Sequence, residues 1–141
     1  MSNAEDASTA SAERPEPTPR ETEILQVLWE RGPSTVREVY RALAANEGSD
    51  AKQRTTVLKL MQIMLEKGLV LRDETVSPHL YSAALERAAA EQRLVDRFAK
   101  RVFDGSSLRL VVRAIESGDL TSSELEEIRR LIDEHEQAGE P

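Results

Sequence analysis

The segment Lys52-Gln53-Arg54-Thr55-Thr56-Val57-Leu58-Lys59 holds the set of side chains best suited to binding a ligand. From residue 52 to residue 67, Lys52, Arg54, Lys59 and Lys67 stand against Glu66 alone, a local charge of +3. An arginine can take a guanine edge with two hydrogen bonds, a threonine can meet a phosphate or a thymine methyl, and a lysine neutralises phosphate. Together they offer the chemistry of a duplex-DNA contact. Elsewhere, reactive chemistry is scarce. The chain has no cysteine, which rules out disulfides, thiolate metal sites and a cysteine nucleophile. His79 and His135 are its only imidazoles, and neither an HExxH nor a GxSxG pattern occurs. An enzyme, a metal site and a cofactor are therefore not expected.

The net charge of -7 over 141 residues, taken as a whole, argues against a nucleic-acid partner. Its distribution removes the conflict. Residues 1–17 carry four acids against Arg14, and residues 84–141 carry thirteen acids against nine bases, whereas residues 18–83 balance nine against nine. On charge alone, a helix with these bases on its wet side reads as an ordinary solvated helix. Its placement among the other elements has to decide.

Residues 1–17, rich in Ala, Ser, Glu and Pro, are expected to be a disordered tail, because they hold too little apolar surface to offset ordering entropy. Order should begin at Thr18-Pro19-Arg20-Glu21, a capping box with proline in the first turn. Ile24, Leu25, Leu28 and Trp29 follow at helical spacing up to Gly32-Pro33. Thr35 and Glu38 repeat the box before a short helix with Val36, Val39, Tyr40 and Leu43, ending near Asn46 to Gly48. A third helix spans Arg54 to Lys67, with Val57, Leu60, Met61 and Met64 inward and Thr55, Thr56 and Lys59 outward; Gly68 caps it. Leu69 to Asp73 and His79 to Ala83 read as a β-hairpin around Thr75-Val76-Ser77-Pro78. Three helices and a hairpin make a winged helix-turn-helix over residues 18–83, with Arg72 and His79 able to reach flanking phosphates.

Residues 84–137 read as three further helices, the last opened by a capping box at Thr121 and Glu124, and residues 138–141 as a disordered end. Val95, Phe98 and Val102 on the first, Leu108, Val111, Val112 and Ile115 on the second, and Leu125, Ile128, Leu131 and Ile132 on the third form a broad aliphatic surface. So short a segment cannot bury that surface alone, so a homodimer built there is expected. The fold class is mainly α. No apolar run reaches the roughly 18 residues of a membrane span and no signal-peptide pattern opens the chain, so stable membrane association is not expected and the location reads as cytoplasmic.

Several ordered stretches resemble the BlaI/MecI/CopY family of bacterial repressors, the penicillinase repressor family. They are Thr22 to Trp29, Thr35 to Val39, Thr55 to Met61, Glu66 to Val70, His79-Leu80-Tyr81, and Phe103-Asp104-Gly105-Ser106-Ser107. The resemblance implies a dimeric, sequence-specific repressor that binds a dyad-symmetric promoter operator, with Gln53, Arg54, Thr55, Thr56 and Lys59 on the recognition helix and Lys52, from the charge reading, beside them as a further DNA-binding candidate. It also brings in a membrane sensor metalloprotease as a candidate partner. In the β-lactam branch that protease cuts an Asn-Phe bond, and the corresponding bond here is Arg97-Phe98; the alternative role for Phe98 is a plain dimer-core aromatic. Leu58 stands where penicillinase repressors commonly carry Arg, and Ile63-Met64 replaces a later Arg-Leu, which implies a different operator. The cysteine cluster of the copper-responsive branch is absent. The competing reading is a winged-helix protein-interaction module without specific DNA binding, using the acidic C-terminal helices. Such a module has no need for Arg and paired Thr at a helix start.

Overall fold

The computed structural model describes residues 15–46 and 54–139. Among these are six helices and one antiparallel hairpin, in the expected order. Helix α1 spans Pro19–Arg31 and α2 spans Val36–Ala45. Both begin with complete reciprocal capping boxes. Thr18 Oγ1 accepts from the Glu21 amide at 3.2 Å while Glu21 Oε1 accepts from the Thr18 amide at 2.9 Å. Thr35 and Glu38 repeat the exchange at 3.1 and 3.0 Å. Each box satisfies amides that a helix start would otherwise leave open, an effect of about 1 kcal/mol.

Helix α3, Arg54–Lys67, ends at Gly68, whose φ of 78° lies in the left-handed region that a Cβ disfavours. The chain then enters strand β1, Val70–Asp73, which pairs with β2, Leu80–Ala83, in the register Val70 to Ala83 and Asp73 to Leu80. One further bridge joins this hairpin to the turn between α1 and α2. The Ser34 amide donates to the Tyr81 carbonyl at 2.9 Å, and the Tyr81 amide to the Ser34 carbonyl at 2.8 Å. The wing is thereby fixed to the approach of α2.

The core of this unit is made from all three helices and the hairpin: Ile24, Leu25, Val27 and Leu28; Val39 and Leu43; Val57, Met61 and Met64; Val70 and Tyr81. Burying each large side chain contributes about 1.5–3 kcal/mol before entropy is counted. Leu60, expected inside, is half-buried at the margin. Trp29 is also marginal, and its Nε1 donates to the Leu85 carbonyl at 2.9 Å while the Arg87 guanidinium lies 5.8 Å from the ring centroid. These contacts hold the start of helix α4, Arg87–Val102, to the first unit. The compact units accordingly divide between Leu94 and Val95, inside α4, rather than at the end of the hairpin.

The second unit contains the rest of α4, then α5, Ser107–Glu116, and α6, Ser122–Gly139, which runs two residues past the expected end at 137. Asp104 and Gly105, at φ 52° and 81°, reverse the chain after α4, and Ser106 Oγ caps α5 by accepting from the Arg109 amide at 3.2 Å. Thr121 and Glu124 form the third capping box. Phe98 and Phe103 meet edge to face with centroids 5.6 Å apart. Ala99 is the one buried hydrophobic residue of this unit among the described residues. Val95, Phe98, Val102, Leu108, Val111, Ile115, Leu131 and Ile132 are exposed in the single chain, and Val112, Leu125 and Ile128 are half-buried. Within one chain this aliphatic set stays largely uncovered, because three helices of this length supply no opposing layer. No described helix is long and apolar enough to cross a membrane.

Candidate nucleic-acid interface

Burial along α3 follows the helical period and so defines its free face. Val57, Met61 and Met64 point into the core; Arg54, Thr55, Leu58, Lys59, Gln62 and Glu66 are exposed. Of the expected outward residues, Arg54, Thr55 and Lys59 share this face. Thr56 is half-buried at its edge, on the strip of α3 that it shares with the half-buried Leu60 and Ile63. Lys52 and Gln53 lie outside the described residues.

The exposed start of α3 forms one wall of an open cleft of about 680 Å³. Arg54, Thr55 and Leu58 come from α3, while Thr35, Val36 and Arg37 come from the first turn of α2. The wing closes the third side with Pro78, His79 and Tyr81. The Ser34 to Tyr81 bridge sets the distance between the last two walls. The cleft therefore presents two guanidinium-bearing positions, one imidazole and three hydroxyls, those of Thr35, Thr55 and Tyr81, with no acidic residue among the described residues that line it.

Arg37, on the exposed side of α2, was not among the residues singled out from the sequence. A helical-wheel reading could have found it, since it lies off the Val39 and Leu43 face. Its position is electrostatically unfavourable for the helix, because a cation in the first turn opposes the helix dipole. Among the described residues, none of Arg37, Arg54 and Lys59 takes part in an ion pair. Lys67, by contrast, is engaged. Its Nζ donates to both oxygens of Glu21, at 2.9 and 3.1 Å, and that carboxylate is 1% exposed. The pair joins the end of α3 to the start of α1, where Glu21 also caps the helix.

In the wing, His79 is exposed, as a phosphate contact would require. Arg72 is turned inward instead. Its guanidinium is held by the Tyr81 hydroxyl and the Glu74 carboxylate, contacts that raise its pKa further above the usual arginine value. Its Nε is buried without a partner among the described residues. Tyr81 itself is 3% exposed and packs in the core. At the tip, the Asp73 carboxylate accepts from the Thr75 hydroxyl and, at 2.9 Å, from the Thr75 amide; these bonds hold its pKa below the ordinary aspartate value. No group of three or more metal-ligating side chains occurs among the described residues.

Three helices around one core, with a hairpin bridged to the turn before the second, define the winged helix-turn-helix class. Within that class, the profile described as penicillinase repressor matches residues 17–134, and the chain belongs to that family of transcriptional repressors. Methicillin resistance regulatory protein MecI of Staphylococcus aureus strain N315 is 20% identical over 112 residues, covering 79% of this chain and 89% of that protein. The same protein of Mammaliicoccus sciuri matches at 20% identity over 112 residues, with the same coverage of 79% and 89%. The penicillinase repressor of Bacillus licheniformis is 19% identical over 121 residues, 86% of this chain and 92% of that protein.

Proposed function

We propose that the chain is a non-enzymatic, cytoplasmic repressor that binds a dyad-symmetric promoter operator as a homodimer, each α3 entering the major groove of one half-site. The observation that carries this reading is the free face of α3 opening onto a basic cleft shared with the start of α2 and the wing. Arg54 and Thr55 are assigned to base edges and nearby phosphates, Lys59, Arg37 and His79 to the backbone. Lys52 and Gln53 extend the same stretch in sequence. Arg72 is assigned to holding the wing rather than to DNA.

The second half of the reading is the dimer. The exposed aliphatic faces of the Val95–Pro141 unit need a covering layer, and a second copy supplies one of matching character. Two linked half-site contacts then gain avidity that neither has alone. The exposed ring of Phe98 belongs to that covered surface, which makes the Arg97-Phe98 bond a target that a sensor metalloprotease could cut only after α4 unwinds.

A fluorescence-anisotropy titration of the promoter of the chain's own operon tests both halves. Specific binding that weakens steeply with salt, at a stoichiometry of two chains per site, is expected. Equal affinity for scrambled DNA would favour the protein-interaction alternative and reject this reading.

A further inference from the structure

Leu58 is 40% exposed on α3, yet its neighbours on the same face are Arg54, Thr55, Lys59 and Gln62. A single exposed leucine is ordinary on a protein surface. Its position is less ordinary, because it is the aliphatic side chain that α3 contributes to the basic cleft. It stands one turn beyond Arg54, about 6 Å along the helix axis, just under two base-pair steps. The surrounding charges make the spot unsuitable for an apolar protein partner and complementary to a polyanion.

We propose that Leu58 is a specificity-determining residue that packs against the C5 methyl group of one thymine in each half-site. A leucine has neither donor nor acceptor, so it cannot satisfy the polar major-groove edges of guanine, adenine or cytosine, and any of these placed beneath it is desolvated without compensation. Thymine is the base that offers an apolar group there. Arg54 and Lys59 fix the helix on the duplex, and Leu58 then selects at one position. The inference rests on α3 being the groove-reading helix.

The test starts by selecting binding sites from a random duplex pool with the full chain, then replacing dyad-related thymine pairs by deoxyuridine, one pair at a time. Deoxyuridine lacks only the methyl. At one pair, the wild-type chain is expected to lose about fourfold per half-site, or roughly 15-fold per dimer, from the lost contact. Leu58→Ala should show less than about twofold at that pair and an unchanged response elsewhere. Leu58→Arg should select guanine in place of that thymine, a gain that a merely structural residue would not produce. A wild-type thymine scan that is flat, or a penalty that persists in Leu58→Ala, overturns the inference while leaving α3 as the reading helix. Failure of the wild-type chain to enrich any sequence overturns both.

Discussion

Replacing Arg37 with Ala tests whether the start of α2 lies on the DNA backbone. Arg37 is exposed and in no ion pair among the described residues, so its removal leaves no buried group stranded. Arginine and alanine are both good helix formers, and loss of a first-turn cation relieves a repulsion with the dipole. Folding stability should therefore stay within about 0.5 kcal/mol of wild type. Binding should change in a specific way. If each Arg37 neutralises one phosphate, a dimer loses two contacts, and the slope of log K against log salt should fall in magnitude by about 1.8. Between 50 and 200 mM salt, that difference makes the wild-type advantage shrink by about 12-fold. Sequence preference should not change, because a backbone contact carries no base information. Anisotropy titrations at four or five salt concentrations, with operator and scrambled duplexes, measure both quantities. An unchanged slope, or an altered preferred sequence, would refute the placement of Arg37 on phosphate.

Three other outcomes follow from the same structure. Lys67→Met leaves the buried Glu21 carboxylate without its cation and should destabilise the fold by about 3 kcal/mol, while adding Glu21→Gln, which can still accept at the cap, should restore much of the loss; urea unfolding followed by Trp29 fluorescence reads both. Paired Val111→Asp and Ile115→Asp substitutions should convert the proposed dimer to a monomer in sedimentation and weaken the proposed operator binding about 100-fold or more, whereas a persistent dimer would place the interface elsewhere. The Asp73 pKa is lower in the folded than in the unfolded chain, so its contribution to wing order is complete above the unfolded value and disappears as pH falls through the folded one. Thr75→Val removes the stronger of the two causes and should raise the Asp73 pKa in an NMR titration; an unchanged value would dispose of the Thr75 hydroxyl as the cause.

The sequence by itself determined the elements whose signals are local. Thr18 with Glu21, Thr35 with Glu38 and Thr121 with Glu124 form capping boxes wherever a helix starts over them, because donor and acceptor are three residues apart. Gly68 and the apolar period of α3 fixed that helix's end and its inner face in the same way. The basic character of the outer face was also legible, since removing Val57, Met61 and Met64 from view leaves Arg54, Thr55 and Lys59. What tertiary structure alone decided is which distant segments meet that face. Arg37 joins the cleft because the start of α2 packs beside the start of α3, with the wing tied in through Ser34 and Tyr81, and Lys67, at the opposite end of α3, is engaged by Glu21, 46 residues away. Arg72 is likewise claimed by Tyr81 and Glu74 in the folded wing. Spacing along the chain predicts contacts within a helical turn. Whether a given cation is free for a ligand depends on neighbours that only the packed core brings together.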